Sequence, residues 1–163
     1  MKLRLAVLCL LAVLLAPAGA LAHVHPRAPI IHEIDHVRRD TNALRRDSGL
    51  EAIPTTFHYR RVADRDYRLA VLERWKTRFD RTWRRSVWVR LAECESNGNW
   101  RIDSAFDGGL QFHPGTWSAY RPAGFPRFAH GASRLEQVRV ARRVLAAEGW
   151  NAWPACSALL GLR

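Results

Sequence analysis

The sequence is short of acid, short of cysteine, and, after its first 22 residues, without long apolar runs. Fifteen Asp and Glu face 26 Lys and Arg over 163 residues. There are three cysteines. No segment beyond the N-terminal run is apolar enough to cross a bilayer core, which excludes a multi-spanning membrane protein. No internal repeat is visible, which excludes a solenoid or propeller. No nucleic-acid-binding motif accompanies the excess of base, so nucleic acid is not the expected partner. The length allows one ordinary domain and a little more.

What is present begins with a processing signal. Lys2 and Arg4 precede an apolar run from Leu5 to Leu15, and "APAGALA" ends in small residues with a cut expected after Ala22. Residues 1–22 therefore read as a secretory signal peptide. The alternative, a membrane anchor, needs a longer run. Secretion predicts an oxidising compartment. Cys9 leaves with the signal, and Cys94 and Cys156 remain. Such a pair reads as one disulfide, the alternative being two separate buried thiols. The bond would enclose 61 residues and stabilise by roughly 4 kcal/mol on the chain-entropy account. Without Lys2 and Arg4, 24 basic residues face 15 acidic ones, a net charge of +9. That surface attracts polyanions, here anionic wall polymers or lipid.

Three zones follow the signal. "HVHPRAP", His23 to Pro29, has two prolines and no periodicity and reads as a flexible lead. Up to Ser86 the chain is dense in charge. Ile30, Ile34, Val37 and Leu44 keep helical spacing, and so do Leu72, Trp75, Phe79 and Trp83. Residues 23–86 are thus expected as a lead and a charged helical stalk, solvated on its arginine face. Residues 87–163 gain Gly, Trp and Pro and hold both remaining cysteines. Seventy-seven residues is small for a self-sufficient core, so a disulfide matters for folding. Within this zone the expected elements are a helix over 87–96 ending at Gly98, an irregular 100–112 with a short hairpin around "FDGG", a short helix at "PGTWSAY" with Pro114 in its first turn, and a long helix after Ser133. That last helix carries a Ser133–Glu136 capping box and stops at Gly149. Its apolar face is expected to run through Leu135, Val138, Ala141 and Leu145.

Glu95 is the residue with the most unusual setting, inside "CESNGNW". On a helix it shares a face with Trp88 and Leu91. Burial, and the negative end of the helix, would both raise its pKa. A carboxylic acid kept protonated near neutrality is what a general acid for glycoside cleavage requires. The competing reading is a glutamate on the helix rim, solvated or paired with arginine. Elsewhere "HEIDH", His32 to His36, is a literal H-E-x-x-H, with Glu33 as the base of a would-be zinc peptidase. It lacks a third ligand at the usual spacing and sits in the charged stalk, so no metal is expected. "HVHP" reads as a tail rather than a copper chelate.

"WVRLAECESNGNW", "DGGLQFHPGTW" and "EGWNAWPACSALLGL" occur in this order from Trp88 to Leu162. Together they resemble the resuscitation-promoting factor family of secreted, lysozyme-like transglycosylase domains. The resemblance covers the third zone and not the stalk. It implies a mainly α, lysozyme-like small domain (α+β, with a short hairpin) and cleavage of the β-1,4 bond between N-acetylmuramic acid and N-acetylglucosamine in peptidoglycan. It implies Glu95 as catalytic acid and base, and a Cys94–Cys156 disulfide tethering the catalytic helix to the tail. Gln111 and Thr116 become substrate contacts, Gly108 and Gly109 allow close approach of backbone to sugar, and Glu148 is a further substrate-site residue; Trp100, Trp117 and Trp150 are candidates to present faces to sugar rings, the alternative for each being core packing. Two departures stand out. "RIDSAFD" is shorter than the family's usual segment and ends in Phe106 and Asp107, and Glu148 stands where glutamine is common. Asp103, Asp107 and Glu148 are thus extra carboxyl groups, each read as a surface or loop charge, the alternative being the second carboxylate of a two-carboxylate hydrolysis. The expected protein is a secreted, wall-associated monomer without cofactor. The alternative is a non-catalytic wall-binding or signalling protein of the same fold.

Overall fold

The computed structural model describes residues 28–163. The signal peptide and "HVHP" lie outside the described residues. The protein is mainly α. Six helices are described: α1 (Ala28–Asp47), α2 (Arg65–Arg85), α3 (Val87–Ser96), α4 (Pro114–Tyr120), α5 (Arg134–Glu148) and α6 (Pro154–Leu159). The only strand-like feature among the described residues is one antiparallel bridge, Asp107 with Phe112, at the expected "FDGG" turn. No described helix is long and apolar enough to cross a membrane.

The helix boundaries follow local chemistry. Asp64 caps α2 by accepting from the Tyr67 amide at 2.9 Å. Ser86 is the one non-helical residue between α2 and α3, and its hydroxyl accepts from the Val89 amide at 3.3 Å. α3 ends in two successive left-handed residues, Asn97 (φ 51°) and Gly98 (φ 72°), so the stop begins one residue before the expected glycine. Pro114 opens α4. Ser133 and Glu136 form the reciprocal capping box of α5, and Gly149 closes it.

α1 and α2 run in the same direction, because the connection between them returns along α1. The Arg45 Nε donates to the Glu51 carbonyl, Asn42 exchanges two hydrogen bonds with the Ile53 backbone, and the Tyr59 hydroxyl donates to Asp35. The pair shares a small core of Ile34, Tyr59, Val71, Leu72 and Trp75. Asp35 is buried there, and the Tyr59 hydroxyl and the Arg60 guanidinium beside it hold its carboxyl below the usual range against the cost of burial.

Residues 28–86 are not a solvated stalk. Leu44 is fully buried in the main core with Trp88, Leu91, Val138 and Val144, and Phe79 and Trp83 pack against the same core. Polar contacts cross at the same place. One oxygen of Asp47 accepts from the Trp88 indole and from the Arg142 Nε, each at 2.7 Å. The Val87 amide donates to Ser48, and Arg139 bridges to His36 and Asp40. The apolar spacing of α2 is thus divided between two partners. Leu72 and Trp75 face α1, and Phe79 and Trp83 face the C-terminal half.

On α5 the buried set is Gln137, Val138, Val140, Ala141 and Val144. It is rotated from the expected stripe, since Leu135 and Leu145 are only half-buried. Gln137 explains the rotation. Its amide is fully buried, donates to the carbonyls of Trp100, Ala129 and Ala132, and accepts from the Gly109 amide. One side chain thus satisfies backbone groups of the 100–109 loop and of the short turn of helix at Ala129–Gly131.

Candidate active site

The last turn of α3 is fixed on both sides of Glu95. Cys94 is bonded to Cys156 of α6, a link across 62 positions. Ser96 is buried, and its hydroxyl donates to the carbonyls of Ala92 and Gly109 at 2.9 and 2.8 Å. Glu95 is therefore held between a covalent tie to the tail and a buried tie to the double-glycine loop. Trp88 and Leu91, on the same face of α3, are fully buried, as the spacing predicts. Glu95 itself is half-buried and makes no hydrogen bond or ion pair with any described residue. Burial pushes its carboxyl above the ordinary range.

The loop after α3 forms a cleft. Asp107 and Phe112 exchange backbone hydrogen bonds at 2.8 and 2.9 Å, pinching residues 108–111 into a tight turn. Gly108 takes φ 73°, and Gln111 takes φ 50°, left-handed for a residue with a side chain. The strain at Gln111 is offset locally by its own amide, which donates to the Gly108 carbonyl at 2.9 Å. Gly109 has no room for a side chain, since a Cβ there would lie 2.8 Å from the Trp100 ring. Gln111, Thr116 and Glu148 meet around a cleft of about 90 Å³ with Phe106, His113 and Trp153. Glu95 lies outside this lining. Its neighbour Ser96 is hydrogen-bonded to the Gly109 carbonyl of the same loop, and Trp153 of the lining holds that loop as well, its indole donating to the Leu110 carbonyl at 2.9 Å.

The other expected site residues fall elsewhere. Trp117 is 1 % exposed, and its indole donates to the Pro126 carbonyl. Trp100 is 7 % exposed between Trp83 and Gly109. Neither has a face for a sugar, so both serve the core. Trp150 is half-buried against Trp88 and Trp153. The aromatic surface at the cleft comes instead from Phe106, 52 % exposed and edge-on to His113. The sequence signal for it was available: an aromatic residue immediately before a turn has no helix or strand to bury it.

The extra carboxyl groups also separate. Asp107 is buried, and its two oxygens accept from the Ala129 amide, the His130 amide and His130 Nδ1 at 2.6 to 3.1 Å. It pins the 129–131 turn. Asp103 is exposed, 3.6 Å from the same His130 nitrogen. Glu148 is exposed on the cleft, and its carboxylate beside the Tyr120 hydroxyl raises the tyrosine's pKa. In the "HEIDH" segment, Glu33 pairs with Lys76 at 3.0 Å, while Arg139 donates to His36 Nε2 at 3.1 Å. Two of the three groups a zinc site would need are occupied by arginine and lysine.

A mainly α chain with a half-buried, unpaired glutamate at the end of a disulfide-tethered helix, and a glutamine–threonine cleft on the loop to which that helix end is hydrogen-bonded, resembles the lysozyme-like transglycosylases. Residues 83–156 match the family model described as a transglycosylase-like domain. The chain is 58 % identical over 80 residues to resuscitation-promoting factor Rpf2 of Corynebacterium glutamicum, a match covering 48 % of this chain and 21 % of that protein. It is 54 % identical over 79 residues to Rpf1 of the same organism, covering 47 % and 41 %. It is 48 % identical over 77 residues to RpfC of Mycobacterium tuberculosis, covering 46 % and 53 %. Residues 83–156 are thus a transglycosylase-like domain similar to that of the resuscitation-promoting factors. The matched segment spans between about a fifth and a half of those relatives' lengths.

Proposed function

We propose that this protein is a secreted peptidoglycan-cleaving glycosidase that cuts the β-1,4 bond between N-acetylmuramic acid and N-acetylglucosamine, with Glu95 as its acid and base. The observation that carries this reading is the state of Glu95: raised by burial, unpaired, and anchored through both of its chain neighbours. In a chain so rich in arginine, an acid that meets none of them retains its proton to higher pH.

The protonated carboxyl donates to the bridging oxygen as the bond to the anomeric carbon breaks and positive charge spreads over that carbon and its ring oxygen. The resulting carboxylate then removes a proton from the attacking hydroxyl. If the attacker is the sugar's own 6-hydroxyl the product ends in an anhydro ring; if it is water the product has a reducing end. Gln111 and Thr116 supply hydrogen bonds to the glycan, and Phe106 supplies an apolar face against a sugar ring. Glu148, exposed on the cleft, serves as an acceptor for sugar hydroxyls. The tie between Cys94 and Cys156 agrees with secretion into an oxidising compartment.

The test is Glu95→Gln on purified peptidoglycan, with mass analysis of the released fragments. Loss of release by about 10²–10⁴-fold with an unchanged fold is the expected result. Release at the parent rate rejects the assignment. The parent's products, anhydro or reducing, name the reaction type.

A further inference from the structure

The family match begins at residue 83, so α1 and most of α2 lie outside it. These helices carry a feature that the glycosidase reading leaves unused. Arg74, Arg78, Arg81 and Arg85 are spaced by four, three and four residues and form one row along α2. At a rise of 1.5 Å per residue the row is roughly 16 Å long. Its lower half, with Arg45 of α1, lines a cavity of about 320 Å³ that also includes Ser48 and Thr82. Its upper half lines a second cavity of about 310 Å³, and Arg78 and Arg81 belong to both. The two form one trough.

The trough has almost no counter-charge. None of the four arginines of the row forms an ion pair among the described residues, whereas Arg60, Arg139 and Arg142 all do. The one carboxylate in the lining, Glu73, lies 3.6 Å from Lys76. Arg78 is held with its guanidinium 5.0 Å above the Trp75 ring. Arg45 is held by the Glu51 carbonyl at 2.6 Å. Like charges set this close without partners repel one another, and an anion laid among them relieves that repulsion. Every cation of the trough is arginine. Its planar fork takes two oxygens of one phosphate, which the ammonium of lysine does not do. A row of charges at regular spacing suits a chain of repeating anions better than a single ion.

We propose that this trough is a binding site for a phosphodiester polymer of the polyol-phosphate kind, lying along the Arg74–Arg85 face of α2. The proposal does not rest on Glu95 or on the glycosidase reading. The test uses the full chain and fluorescently labelled poly(glycerol phosphate), titrated at about 50 to 200 mM salt. The parent protein is expected to bind, and Arg81→Gln with Arg85→Gln to weaken binding at least about ten-fold at the lowest salt. The slope of log affinity against log salt should become shallower by about 0.7–0.9 per lost contact. Both arginines are exposed, so the variant keeps its core. Arg84→Gln with Arg90→Gln removes the same charge from exposed positions outside the trough and is expected to change affinity less than about two-fold. Equal losses in the two variants would reduce the effect to net charge and overturn the site. So would absence of binding by the parent, or tighter binding of a polyuronate, duplex DNA or anionic phospholipid vesicles than of the polyol phosphate. Release of fragments from polymer-free peptidoglycan is expected to be the same in parent and both variants, which keeps this outcome separate from that of Glu95→Gln.

Discussion

Replacing Asp47 by alanine probes whether the N-terminal helices and the transglycosylase-like domain are one folding unit. A single oxygen of Asp47 accepts two hydrogen bonds of 2.7 Å, from the Trp88 indole on α3 and from Arg142 on α5. The Trp88 side chain is fully buried, so its N–H finds no water once the acceptor is gone. Such an unsatisfied donor costs about 1–3 kcal/mol. The hydrogen bond from Arg142 is charge-assisted and contributes about 1.5–3 kcal/mol. Arg142 already has one buried nitrogen without a partner, so it has no second contact to fall back on. The sum is about 2.5–6 kcal/mol, or on the order of 10 °C in Tm for a unit of this size. Asp47→Asn keeps a carbonyl for the indole and loses the charge, so it should fall near half of that. The assay is thermal unfolding followed by near-UV circular dichroism, where Trp88 and its neighbours Trp150 and Trp153 report directly. A loss below about 0.5 kcal/mol in Asp47→Ala, the range of ordinary surface substitutions, or two separate transitions in the parent, would refute the single-unit argument.

Three further outcomes follow from the same contacts. Reducing Cys94–Cys156 should destabilise the protein by roughly 4 kcal/mol and lower fragment release more steeply than stability, because Glu95 is the next residue; paired melts and activity assays with and without reductant check this. Gly109→Ala places a Cβ 2.8 Å from the Trp100 ring, and urea titration should read a loss of about 1–3 kcal/mol. Glu95→Gln should melt above the parent at neutral pH. Because burial raises the folded-state pKa of Glu95, the parent's folded state is penalised as pH rises through that pKa. The difference should close below the unfolded glutamate range, near pH 4, and a gap that persists in acid would remove burial of the anion as its cause.

Elements with local signals were legible in the sequence. The capping box at Ser133 and Glu136, Pro114 at the start of α4, and the burial of Trp88 and Leu91 all depend on residues within two turns of one another. What depended on distant partners was not legible. Leu44 has ordinary helical spacing, and nothing near it in the chain indicates that it joins the core of Trp88 and Val138 rather than another stalk helix. Asp47 reads as a surface acid in "RRD" until α3 and α5 are placed beside it. For Trp100 and Trp117 the residue type was informative and the orientation was not, since a tryptophan in an irregular loop has no periodicity to say which way it faces. Asp107 was open to a catalytic reading for the same reason, and only the Ala129 and His130 amides reveal its structural work. Gln137 did leave a trace, a lone amide beside Val138 and between the apolar turns of α5. Gln111, Thr116 and Glu148 came from family resemblance alone, and the fold gathers those three into one cleft.

The distribution of arginine gives the isolation of Glu95 its meaning. The chain has 26 basic residues and 15 acidic ones, and the buried or half-buried acids of α1 meet a guanidinium. Asp35, Asp40 and Asp47 all do, and each joins one element to another. At α3 the pattern is reversed. The last turn of that helix holds no base, its inward face is tryptophan and leucine, and the residues fixing it are a cysteine and a serine, which carry no charge. An arginine in contact with Glu95 would favour the anion and draw its pKa down. Fixing the turn through sulfur and a hydroxyl gives the rigidity of an ion pair without that consequence. The same economy accounts for the position of the unpaired arginines on α2, a separate helix from the one that bears the acid: base concentrated there attracts anions while the carboxyl at position 95 remains free of any cation that would stabilise its anion.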